Sequence, residues 1–189
     1  MHQIIRIIVY ADSEESALHR AENILDNNLV GDGYGLFDYG TLFDNNGSEV
    51  SGKGRWGDDI PSVVLADSEE GEELIKEGME YTKESFLDSI KNMREMIGKY
   101  SDEELSEEER SGVKEKILKE LTGENDEELE AGYFRYYCRN IGYSKGSNIW
   151  LYDDDGEGID KSSHLKSVLN KWGSKNSLKV YVVPVDVHS

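Results

Sequence analysis

The sequence predicts an α+β fold, a ferredoxin-like α/β sandwich that carries an acidic helical insertion. Three observations predict it. β-Branched runs lie near both ends of the sequence, at Gln3–Tyr10 (QIIRIIVY) and Leu178–Val187 (LKVYVVPVDV). Apolar residues at steps of three and four mark helices between the strands. Between Asp67 and Glu130, 23 acidic residues face nine basic ones, so this block holds most of the net charge of −19. The reading divides the chain into residues 1–66 and 143–189, which form one α/β domain, and an insertion over 67–142.

Each element has its own warrant. Gln3–Tyr10 is a first strand interrupted by Arg6, and the acids that follow it make it a strand and not a signal peptide. Asp12-Ser-Glu-Glu15 resembles a capping box, with Leu18, Ala21, Leu25 and Leu29 at helical spacing behind it, so the first helix is expected over Ser13–Asn28. Gly31 to Asp59 is glycine-rich and irregular. It holds one strand, Leu36–Phe43, and a turn at Asn45-Asn46-Gly47. Pro61–Ala66 is a further strand.

In the acidic block, Ile75, Met79, Phe86, Ile90, Met93, Ile97 and Tyr100 form one apolar stripe, with Thr82 filling its gap. A second helix of the block begins near Glu107, and a third runs from about Asp126 to Ile141. A strand at Asn148–Tyr152, a helix at Ser162–Trp172 and the strand Leu178–Val187 complete the order β-α-β-β-ααα-β-α-β. Such interleaving suggests a sheet with helices on one face; a small doubly wound sheet is the second architecture.

Composition excludes several functions. At 37% hydrophobic residues the chain can build a core. No stretch approaches the roughly 18 apolar residues of a membrane span. The lone Cys138 fits a reducing compartment, so a cytoplasmic location is expected. The negative charge opposes direct contact with nucleic-acid backbone. A pI near 4.5 and a mean hydropathy of −0.67 resemble halophile composition, although the 14 lysines outnumber the seven arginines.

Three segments are candidate sites. Asp153, Asp155 and Asp160 lie on a glycine-containing loop of the kind that holds Ca²⁺ or Mg²⁺. The EF-hand spacing fails, since Leu151 falls where its first aspartate belongs, and a solvated β-to-α turn explains the same residues. Arg55 and Trp56 lie between glycines and could offer a stacking face with a fork for a carboxylate or phosphate. A buried tryptophan anchor is the plainer reading. Ala131–Trp150 contains no acid and sets Arg135 and Arg139 among aromatics including Tyr136, as a stacking or contact surface requires. An amphipathic core helix would show the same pattern. Cys138 has no base nearby in sequence. His2, His19, His164 and His188 show no ligand spacing, which argues against zinc.

These observations favour a non-enzymatic, cytosolic accessory or regulatory factor of a halophilic archaeon or its virus. It would act through protein–protein contact, with a second copy of the chain among the candidate partners and no cofactor required. One alternative is a polyanion mimic that blocks a nucleic-acid-binding protein. The other is a small metal-dependent enzyme using the Asp153–Asp160 loop.

Overall fold

A computed structural model describes residues 2–31, 36–44, 50–102, 105, 137–138, 141, 148–170 and 178–189. Helices combine with a mixed sheet of five strands, an α+β arrangement. The strands are β1 (His2–Ala11), β2 (Tyr39–Leu42), β3 (Val64–Leu65), β4 (Leu151–Tyr152) and β5 (Lys179–His188). Among the described residues the helices are α1 (Glu14–Ile24), a short α2 (Lys53–Trp56), α3 (Glu69–Lys99) and α4 (Ser162–Asn170). The expected second and third helices of the acidic block and the Asn45-Asn46-Gly47 turn lie outside the described residues, apart from isolated helical positions.

The sheet order is β2-β5-β1-β4, with β3 also paired to β5. β1 and β5 form the antiparallel centre, in register from His2 opposite His188 to Ala11 opposite Lys179. On its other side β1 takes β4 as a parallel neighbour. The pleat sends alternate residues to opposite faces. Ile5, Ile7 and Val9 of β1 and Val183, Val185 and Val187 of β5 point to one face, where Ala17, Ala21 and Ile24 of α1 cover them. Ile8, Tyr10, Leu151 and Val182 point to the other, packed with Ile75 of α3 and Val168 of α4. Helices therefore cover both faces, where the sequence suggested one. The two central strands are apolar on both sides, and each side needs a cover.

Local chemistry sets the helix ends. Ser13 caps α1 by accepting the amide of Ser16 at 3.2 Å. At its far end α1 widens into a π-helical turn, Leu25–Leu29, closed by the Val30 amide on the Leu25 carbonyl at 2.8 Å. Ser68 caps α3 through the amide of Gly71 at 3.1 Å. The buried face of the first half of α3 is Gly71, Ile75, Gly78 and Thr82. Only Ile75 and, partly, Met79 of the expected apolar stripe are buried there, while Phe86 and Ile97 further along are exposed. Glycines win the inner face because the backbone approaches the sheet closely. A Cβ on Gly71 would lie 2.0 Å from the Leu65 carbonyl oxygen, and one on Gly78 would lie 3.3 Å from the Leu151 Cβ.

Arg6, the polar interruption in β1, is buried on the α3 side. It pairs with Glu77 at 2.6 Å, donates to the Ile4 carbonyl at 2.7 Å and lies 5.5 Å from the Tyr81 ring centre. Burial lowers its pKa, against the pull of Glu77. Two compact units emerge, residues 1–83 with 144–189, and 84–143. The segment of α3 before Glu84 belongs to the sheet unit; in the second unit the helix continues to Lys99 and Leu105 is buried. No helix among the described residues is long and apolar enough to cross a membrane.

Candidate functional site

The antiparallel register sets three ring-bearing residues in one row across the sheet. Tyr39 of β2 is opposite His188 of β5, which is opposite His2 of β1. The next row on the same face contains Asp186, between Thr41 and Ile4. Asp186 interrupts an otherwise apolar run and is 1% exposed. A carboxylate so placed must be hydrogen-bonded. It is: one oxygen accepts the Gly52 amide at 2.9 Å and the other meets Nδ1 of His2 at 3.0 Å.

That second contact orients the imidazole. An ionised carboxylate would only accept, and in that arrangement Nδ1 of His2 is the donor. Nε2 then faces the Tyr39 hydroxyl at 3.1 Å, and in the neutral ring it accepts the phenol's hydrogen. The result is a directed chain from the buried Asp186, through the nearly buried His2, to an exposed phenol. Beside it, Nδ1 of His188 is 2.9 Å from Asp38. The His188 ring stacks on Tyr39 at 4.9 Å with a 2° interplanar angle, and it meets His2 edge-on at 5.0 Å.

The glycine-rich loop joins the same carboxylate. The residue that donates to Asp186 is Gly52, at a positive φ of 53° that favours glycine, immediately before α2. Arg55 and Trp56 lie on α2, both exposed, with the guanidinium 5.8 Å from the indole centre. Trp56 is thus displayed at the surface. Val50, at the start of this stretch, is also exposed.

The acidic loop is tied to itself and to neighbouring elements. Asp153 accepts the amides of Asp155 and Glu157 on one oxygen, at 3.0 and 2.9 Å, and its other oxygen is 3.3 Å from His164. Asp160 is 3.6 Å from Lys161. Asp154, between them, pairs with Arg20 at 2.6 Å while its second oxygen is buried without a hydrogen-bond partner among the described residues. Burial raises the Asp154 pKa, with Arg20 and the Tyr10 backbone opposing and Asp155 adding to the rise. Gly156, at φ 73°, lies where a Cβ would come 2.8 Å from Asn28. Asp153, Asp155 and Asp160 share this loop. Even so, no group of three His, Cys, Asp or Glu among the described residues is placed to hold a metal ion.

Arg135, Tyr136 and Arg139 lie outside the described residues. Cys138 is exposed. A separate apolar groove of about 900 Å³ is lined by residues that include Leu65, Ile75, Met79, Leu165, Leu169 and Val180. Sequence reasoning missed His2, Tyr39, Asp186 and His188 as a group. The available signal was the acid inside VVPVDVH, flanked by a histidine two residues on.

The chain belongs to the family described as a domain of unknown function (DUF7995), whose model matches residues 1–114 and 109–189. No curated protein and no solved structure matches it.

Proposed function

We propose that this protein works by contacting a protein partner through the surface built around Tyr39, Arg55 and Trp56. The observation that carries the proposal is the shared anchor. The Arg55–Trp56 loop and, through His2, Tyr39 are both tied to buried Asp186. Tyrosine, tryptophan and arginine are the residues in which interface energy concentrates, and rigid anchoring lowers the ordering cost of using them. Val50 extends the exposed apolar area of the same loop.

The finer readings belong with this proposal. The parallel β4 and antiparallel β5 on either side of β1 support a ferredoxin-like core, while β2 and β3 along β5 depart from that arrangement. The net charge of −19 supports an acidic helical insertion and a salt-rich cytoplasm, as for an accessory or regulatory factor of a halophilic archaeon or its virus.

The test is photo-cross-linking in a high-salt lysate, with a benzophenone side chain at position 56 or, as control, at Glu80. The expected result is one specific adduct from position 56, lost in Arg55→Ala and retained in Arg135→Ala with Arg139→Ala. An adduct from neither position would overturn the proposal. Loss of binding on reversing four glutamates among Glu103, Glu104, Glu107, Glu108 and Glu109 would instead favour the polyanion mimic.

A further inference from the structure

We infer that Tyr39 is an activated phenol that attacks the carbonyl carbon of an uncharged ester, with His2 as proton acceptor and Asp186 as its positioning residue. Nucleophile, base and orienting acid stand in the order that activates weak nucleophiles elsewhere, each within hydrogen-bond reach of the next. Tyr39 to His2 is 3.1 Å and His2 to Asp186 is 3.0 Å. The Gly52 amide engages the other Asp186 oxygen, so the carboxylate cannot turn away from the imidazole. Stacking on His188 fixes the plane of the phenol. Exposure runs in the direction the chemistry needs, from Asp186 at 1% to Tyr39 at 41%.

The substrate class follows from charge. A chain of net charge −19, with Asp38 beside the stacked pair, repels phosphoryl anions but not a neutral carbonyl compound. In the forward step the Tyr39 oxygen bonds to the acyl carbon and its proton passes to Nε2 of His2. The bond to the leaving alcohol breaks, and the alkoxide takes that proton. Water, deprotonated by His2, then cleaves the aryl ester and releases the acid, and the phenol oxygen recovers the proton. Phenolate is a good leaving group, so the acylated residue turns over. Among the described residues, the groups facing His2 are Asp186 and His188 from β5 and Tyr39 of β2, with Asp38 behind His188 and the Gly52 amide on Asp186. The inference rests on this geometry and does not require the contact reading, although Tyr39 belongs to both.

The experiment treats the full chain with p-nitrophenyl acetate and follows nitrophenol release and acetylation of each tyrosine by peptide mass spectrometry. Tyr81 is the internal reference, because its 43% exposure matches that of Tyr39. Tyr39 should acetylate about a hundredfold faster than Tyr81, the scale of general-base assistance. Its rate is followed across pH in wild type and in the variants. Tyr39→Phe, which removes one hydroxyl, should abolish the rapid phase. Asp186→Asn should slow it and alter the pH profile. Equal labelling of Tyr39 and Tyr81, or release that persists in Tyr39→Phe, would overturn the inference. The comparison of the two tyrosines within wild type holds even if a variant fails to fold.

Discussion

The hydroxyl oxygen of Thr82 accepts the backbone amide of Trp150 at 3.0 Å while donating to the Gly78 carbonyl at 2.8 Å. One side chain thereby fastens α3 to the segment entering β4. Thr82→Val keeps the shape and strands the Trp150 amide. The expected cost is about 1–3 kcal/mol, read as a drop of several degrees in melting temperature. An unchanged melting temperature would show that the bond contributes nothing.

Gly71 and Gly78 should respond differently to alanine. Alanine gains about 1 kcal/mol of helix propensity at either site. At Gly71 a backbone carbonyl lies 2.0 Å from the new carbon, so Gly71→Ala must displace the helix start and should destabilise strongly. At Gly78 the nearest atoms are at 3.3 Å, and a small shift relieves them. Urea denaturation should rank Gly71→Ala well below Gly78→Ala; the reverse order would refute the close approach at Leu65.

Asp154 supplies a pH test. Its folded pKa lies above the ordinary carboxylate value, so the folded state holds the proton more tightly. The sign of the linkage is then fixed: stability associated with this group is present at low pH and lost as pH rises through the raised pKa. Asp154→Asn, measured against wild type, should become more favourable as pH rises above the ordinary carboxylate value of about 3.9. A difference that is flat or of opposite slope would show that the Arg20 pair outweighs burial.

Asp153 should behave as a structural cap. Asp153→Ala removes the acceptor for two backbone amides and should cost about 1–2 kcal/mol, with or without Ca²⁺. Ca²⁺ or Mg²⁺ that raised the melting temperature of wild type, but not of the triple Asp153, Asp155 and Asp160 to Asn variant, would point to a cation site instead.

Salt should stabilise the whole molecule. Carboxylates at this density repel one another, and the screening length falls to about 3 Å at 1 M. The melting temperature should rise steeply between low and molar KCl. A flat response would remove the salt-adaptation reading.

Much of the sheet was legible because β-branched runs announce strands regardless of context. Gln3–Tyr10 became His2–Ala11, and Leu178–Val187 became Lys179–His188. The start of α1 was legible too, since Ser13 caps locally. The π-helical turn was not, because a widened turn satisfies packing around Leu25 and Leu29 and leaves no periodic mark. The face of α3 was legible only in part: Ile75, Met79 and Thr82 of the expected stripe turn inward, while Phe86 and Ile97 are exposed. Hydrophobicity located its large residues, but the sheet admits only small ones at closest approach. The site row was hidden by distance along the chain. Tyr39 joins His2 and His188 only through strand register, which no local spacing rule detects. Arg55 and Trp56 stood out as candidates because a glycine-rich loop singles out its few large side chains.

β5 pairs with β1, β2 and β3, yet its residues come after both α3 and α4. During synthesis, β1 must therefore emerge with its apolar faces and unpaired edge exposed. It waits until residue 179 and beyond have been made before its long antiparallel ladder can form. Contacts so remote in sequence close slowly, and an unpaired apolar strand is prone to pair with other chains. The dense carboxylates made in the interval offer a remedy that folding itself cannot. Charged side chains next to an exposed strand edge oppose such pairing until the strand that completes the sheet arrives.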